Sequence, residues 1–65
     1  MQTYSYFLLD DKGAYVEEYI AYSDIAFEYG VTRNSVAGLF NRAHHKQSNI
    51  ITLKGKQIKQ VKRGL

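Results

Sequence analysis

The sequence predicts one small α+β domain: an N-terminal β-hairpin, a helix-turn-helix and a basic C-terminal β-hairpin, arranged like a winged helix. Three observations predict it. Two stretches rich in aromatic and β-branched residues are each broken by turn chemistry, at Asp10-Asp11-Lys12-Gly13 and at Lys54-Gly55. Between them, apolar residues recur at helical spacing, interrupted once at Gly30-Val31-Thr32. The chain has 65 residues and no cysteine, which allows a single domain over 1–65 with no disulfide to hold it. Its parts are a hairpin over 1–21, the helix-turn-helix over 22–45 and the basic hairpin over 50–61.

Residues 3–9, Thr-Tyr-Ser-Tyr-Phe-Leu-Leu, read as a strand from their aromatic content and partial alternation. Asp10 and Asp11 then supply side chains that fold back on the backbone, and Gly13 supplies a positive φ. Residues 14–20 fit two patterns. As a strand they complete the hairpin; as a helix they place Tyr15, Val16, Tyr19 and Ile20 on one stripe. The turn before them and their Tyr, Val and Ile content favour the strand. Ser23 is the expected N-cap of the first helix, with Asp24 at the positive end of its dipole. That helix runs to Tyr29 and turns Ile25, Ala26 and Tyr29 inward. Gly30 ends it, and Thr32 caps a second helix from Arg33 to about His44. Ile50–Leu53 reads as a short strand. Lys56–Val61 returns as its partner or forms a terminal helical turn, since Ile58 and Val61 stand three apart.

The helical corner has a steric register. Ala26 is small where the second helix crosses; Gly30 follows four residues on, Val31 fills the angle, and Val36 and Leu39 face back. At ~100° per residue the second helix gathers Val36, Leu39, Phe40 and Ala43 on one face. The opposite face holds Asn34, Ala37, Gly38, Asn41 and His45, edged by Arg33 and Arg42. Gly38 costs about 1 kcal/mol inside a helix relative to Ala. A glycine there lets the backbone approach another surface, either a ligand or a second protein element. Asn34 and Asn41 carry the groups that read adenine bidentately, Arg33 suits guanine or phosphate, and the Ala37 methyl suits a thymine methyl.

Charge divides the chain. Residues 1–30 carry six acids against Lys12 alone, whereas residues 31–65 carry eight Lys and Arg and no acid, for a net +3. An acid-free basic half beside such a helix is the footprint of a polyanion binder. Lys46, Lys54, Lys56, Lys59, Lys62 and Arg63 suit phosphates better than bases, with Lys54 and Lys56 at the tip of a wing beside the second helix. A hairpin kept soluble by lysines would have the same composition.

Other chemistry is thin. Hydrophobic residues make up 45% of the chain, which argues against disorder, but no apolar run reaches the ~20 residues of a membrane span. No nucleophile–base–acid set or glycine-rich phosphate loop is present, so no enzyme is expected. His44 and His45 diverge by about 100° on a helix and lack Cys or acid partners, so no metal or other cofactor is expected. The six tyrosines all precede residue 30. They suit a core and sheet surface, or a docking face for a protein partner or second copy.

The segment Tyr6–Asn41 resembles the nuclease-associated modular DNA-binding domains and the hairpin-plus-helix-turn-helix modules of phage proteins. The matching residues are Gly13, Val16, Tyr19 and Ala26, then Gly30-Val31-Thr32 at the turn and Asn41 late in the second helix. The family's serine before the first helix falls on Ala21, and its glycine-and-tryptophan ending is missing. The resemblance implies a strand at 14–20 and a DNA-binding role without a fused nuclease. The expected activity is sequence-specific binding of double-stranded DNA in the cytoplasm of a bacterial or phage-infected cell, in transcription regulation or another DNA transaction. The residues expected to carry it are Thr32, Arg33, Asn34, Ala37, Gly38, Asn41, Arg42, His45, Lys46, Lys54 and Lys56. The rival expectation is a small module that docks on and redirects a partner protein through its acidic, tyrosine-rich first half.

Overall fold

The computed structural model describes residues 3–63. In chain order they form β1 (Thr3–Leu9), β2 (Tyr15–Tyr19), α1 (Tyr22–Tyr29), α2 (Arg33–His45), β3 (Ile50–Leu53) and β4 (Lys56–Arg63). The protein is mixed α+β. The two hairpins do not stand apart: β4 pairs with β1 from Thr3↔Arg63 to Leu9↔Gln57, giving one antiparallel sheet of order β2-β1-β4-β3. Local sequence pattern sees each hairpin but not this pairing, because the two strands lie some fifty residues apart and either could have been an edge.

Both turns follow from local chemistry. Asp10 Oδ1 accepts from the Lys12 and Ala14 amides at 2.8 Å, and Gly13 takes φ 79°. Lys54 and Gly55 have φ 50° and 78°, the paired positive values of a two-residue hairpin turn whose twist matches the strands. β4 continues to Arg63 as a strand, so the helical-turn option for its end is excluded. Its inward residues are Ile58 and Gln60, and Val61 points the other way.

Both helices cover one face of the sheet. Ile25, Val36, Phe40 and Ile58 have no exposed surface, and Tyr6, Tyr19, Ala26, Ile51 and Leu53 close around them. Phe40 is the hub: Tyr22 stacks on it at 5.3 Å and 12°, and Tyr6 leans against it at 5.3 Å. Leu8, Tyr29, Val31, Leu39 and Ala43 pack around this cluster. The first helix starts differently from expectation. Ala21 occupies the N-cap, without a side-chain cap, and Ser23 lies inside the helix. Asp24 reaches back instead, its Oδ2 accepting from the Ile20 amide at 3.4 Å, so an acid in the first turn takes over part of the capping that Ser23 was expected to supply.

Candidate nucleic-acid interface

The three-residue link between α1 and α2 is fixed by backbone geometry. Gly30 is left-handed at φ 67°, ψ 33°, and the Val31 amide bonds to the Ala26 carbonyl at 3.0 Å, closing the end of α1. Thr32 then caps α2: its Oγ1 accepts from the Ser35 amide at 3.1 Å and meets Ser35 Oγ at 2.9 Å. This engages the Thr32 side chain locally, so its first role is to aim α2. Ser35 shares that network, and the sequence reading passed over it because a serine three residues into a helix has no distinctive signal.

α2 turns Val36 and Phe40 into the core and leaves Arg33, Asn34, Asn41, Arg42 and His45 exposed. Ala37 and Gly38 are half-buried between them. A Cβ added at Gly38 would meet only the Arg42 guanidinium, at 3.9 Å. Packing of another described element therefore does not explain the glycine. The two helices also differ at their N-termini. α1 has Asp24 in its first turn, whereas α2 has no acid there and ends in Arg42, His44 and His45. The positive end of the α2 dipole is left available to an anion.

The adjacent histidines do different things. His44 Nε2 bonds to Gln60 Oε1, tying the end of α2 to the middle of β4, and Asn49 Nδ2 donates to the Gln60 carbonyl at 3.1 Å. His45 faces outward. Beside α2 runs β3, and a shallow groove between them is lined by Leu39, Arg42, Ala43, Lys46 and Ile51, among others. The exposed Lys54-Gly55-Lys56 tip closes the far end of this hairpin. Lys56 pairs with the core residue Leu53, so it leaves the sheet on the helical side.

The sheet sorts the remaining cations. Lys62 pairs with Tyr4 on the helical side, but Lys59 pairs with Phe7, and Arg63 with Thr3, on the opposite face. Lys59 and Arg63 therefore cannot join the α2 surface, a correction to the single phosphate-binding set expected from composition. Glu17 and Glu18 likewise point to opposite sides of β2. Glu17 accepts from the Tyr19 hydroxyl at 3.2 Å, which leaves the Tyr29 hydroxyl as donor to Tyr19 at 3.3 Å. Burial, then the Tyr29 and Glu17 oxygens, push the Tyr19 hydroxyl far above its ordinary range. Burial and the neighbouring Tyr6 push Tyr22 up to about 12.

No protein-family model, curated protein or solved structure matches the chain. No helix among the described residues is long and apolar enough to cross a membrane.

Proposed function

We propose that the chain binds double-stranded DNA sequence-specifically, with α2 in the major groove. It serves as a small transcriptional regulator or as an accessory to another DNA transaction in the cytoplasm of a bacterial or phage-infected cell. It needs no cofactor and catalyses no reaction. The observation that carries this reading is the outer face of α2: a half-buried Ala37-Gly38 step, with no other described element packed on Gly38, set among exposed Asn34, Asn41, His45, Arg33 and Arg42. Small residues at the centre admit the helix to a groove, amides on either side read adenine edges, and the cations meet phosphate or guanine. The β3–β4 hairpin supports a winged-helix-like role, since it flanks α2 and carries Lys54 and Lys56 at its tip. The rival protein-docking role of the acidic hairpin has less support. Tyr6 and Tyr19 are buried and Tyr22 and Tyr29 pack on the core, which leaves Tyr4 and Tyr15 exposed.

Fluorescence anisotropy with pooled random duplexes tests the proposal. Five cations, Arg33, Arg42, Lys46, Lys54 and Lys56, imply that log K falls with log salt at a slope of about −4.5. Lys54→Ala and Lys56→Ala weaken all duplexes alike and flatten that slope by about one each. Asn34→Ala and Asn41→Ala relax preference at particular bases while leaving the slope intact. Binding that is absent, or insensitive to salt, refutes the proposal.

A further inference from the structure

The face of the sheet away from the helices is uncovered among the described residues, yet it is largely apolar. Tyr6, Tyr19, Ile51 and Ile58 point to the helices, so their neighbours Phe7, Glu18, Ile50 and Lys59 point away. Strand pairing sets these four in one row across the sheet, in the order Glu18, Phe7, Lys59, Ile50. Leu9 and Val61 extend the apolar patch along the strands, and Tyr15 stacks on Phe7 at 4.4 Å and 13°. Phe7, Leu9 and Val61 are half-buried by their neighbours alone, while Ile50 is 37% and Tyr15 53% exposed.

The row is self-complementary. Phe7 lies on β1, with the acid Glu18 one strand to one side and the base Lys59 one strand to the other. They stand about 10 Å apart across β1, too far to pair within one chain. A dyad running along β1 between two such faces lays Phe7 on Phe7 and sets each Glu18 against Lys59 of the partner subunit. A dyad running across the strands would set Glu18 on Glu18 and Lys59 on Lys59. The charges therefore select one of the two face-to-face arrangements, with strands nearly aligned as in packed sheets.

We propose that the open face of the sheet is a homodimer interface, built on Phe7 and locked by reciprocal Glu18–Lys59 pairs. Four strands and five residues give a footprint of roughly 300 Å² per partner. The two sides together bury roughly 600 Å², below the ~1,200 Å² of standard specific interfaces, so association is weak, transient and concentration-dependent, in the micromolar range or above. Both α2 outer faces stay free, on opposite sides of the dimer. The inference does not depend on what α2 binds.

Sedimentation velocity of the full chain at low salt, from micromolar to millimolar, tests it. The wild type shifts from monomer to dimer. Glu18→Lys alone and Lys59→Glu alone each weaken association about tenfold, because each homodimer then holds two like-charged contacts. Mixed in equal amounts, the two variants dimerise again, since both cross-pairs become opposite in charge. Circular dichroism checks that each variant is folded; both positions lie on the surface of the sheet. A wild type that stays monomeric throughout overturns the proposal. So does a dimer indifferent to both variants, or one that their mixture fails to restore. Capture of single-stranded nucleic acid or lipid by a monomeric Phe7 face would also overturn it.

Discussion

The two faces of the one sheet are made from the same strands and end in different states. On the helical face, Tyr6, Tyr19, Ile51, Leu53 and Ile58 are buried under α1 and α2. On the other, Phe7, Leu9, Lys59 and Val61 are half-buried by one another. Alternation along a strand shows that two faces exist, not which of them a core will cover. β1 has partial alternation only, with aromatic or aliphatic residues on both sides at Tyr6-Phe7-Leu8-Leu9. Strands apolar on both sides belong to sheets covered on both faces, whereas here the helices cover one face only.

The largest expected contrast comes from two phenylalanines. Phe40 is fully buried at the junction of both helices and the sheet, so Phe40→Ala costs about 3–5 kcal/mol and leaves most of the protein unfolded. Phe7→Ala removes a half-buried ring from the open face and costs about 1 kcal/mol in the monomer. Urea denaturation at dilute concentration measures both. Equal costs would mean that the open face is part of the folding core.

Next comes alkali. Tyr19 and Tyr22 belong to the helical face, and both hydroxyls ionise less readily when folded than when unfolded. A raised folded-state pKa gives stability that is intact below the unfolded value near 10 and is lost as pH rises through the folded one. Stability is therefore level on this account up to pH 10 and falls between 10 and 12, as ionisation of the unfolded chain draws it open. Phenolate absorbance followed with circular dichroism should show late tyrosine ionisation coinciding with loss of helix. Ionisation of all six tyrosines near pH 10 with helix retained would contradict the packing of Tyr19 and Tyr22.

Smaller effects sharpen the contrast. Gly30→Ala forces a side chain into a left-handed conformation with open space around it, so the cost is backbone strain alone, about 1 kcal/mol. Thr32→Ala removes the α2 cap at a similar cost of about 1 kcal/mol. Ser5, on the open face beside Phe7, runs the other way. Its hydroxyl is fully buried with no hydrogen-bond partner among the described residues, so Ser5→Ala raises stability by up to about 1 kcal/mol in thermal melts. Destabilisation by that change would mean that the hydroxyl has a partner.

Much of the fold was legible because its signals are local. Asp10, Gly13, Gly30, Thr32 and Lys54-Gly55 each fix a turn or cap through their own chemistry, and the Val36, Leu39, Phe40, Ala43 spacing assigns the inner face of α2. The N-cap of α1 was misassigned because Ser23 looks better than Ala21 by type, while the bond from the Ile20 amide to Asp24 depends on how β2 ends. The β1–β4 pairing was not legible, since only the folded sheet brings those strands together. That pairing separates Lys59 and Arg63 from the candidate surface. Composition counts eight cations in that half of the chain; the fold assigns them to different faces.

Contact between the outer face of α2 and DNA is read residue by residue in backbone amide NMR during titration with a duplex selected from a random pool. Shifts concentrate in residues 32–46 and 54–56, with Phe7, Lys59 and Val61 unmoved at a protein concentration held constant. Shifts centred on Phe7, Lys59 and Val61, with Asn34, Gly38 and Asn41 silent, would contradict it.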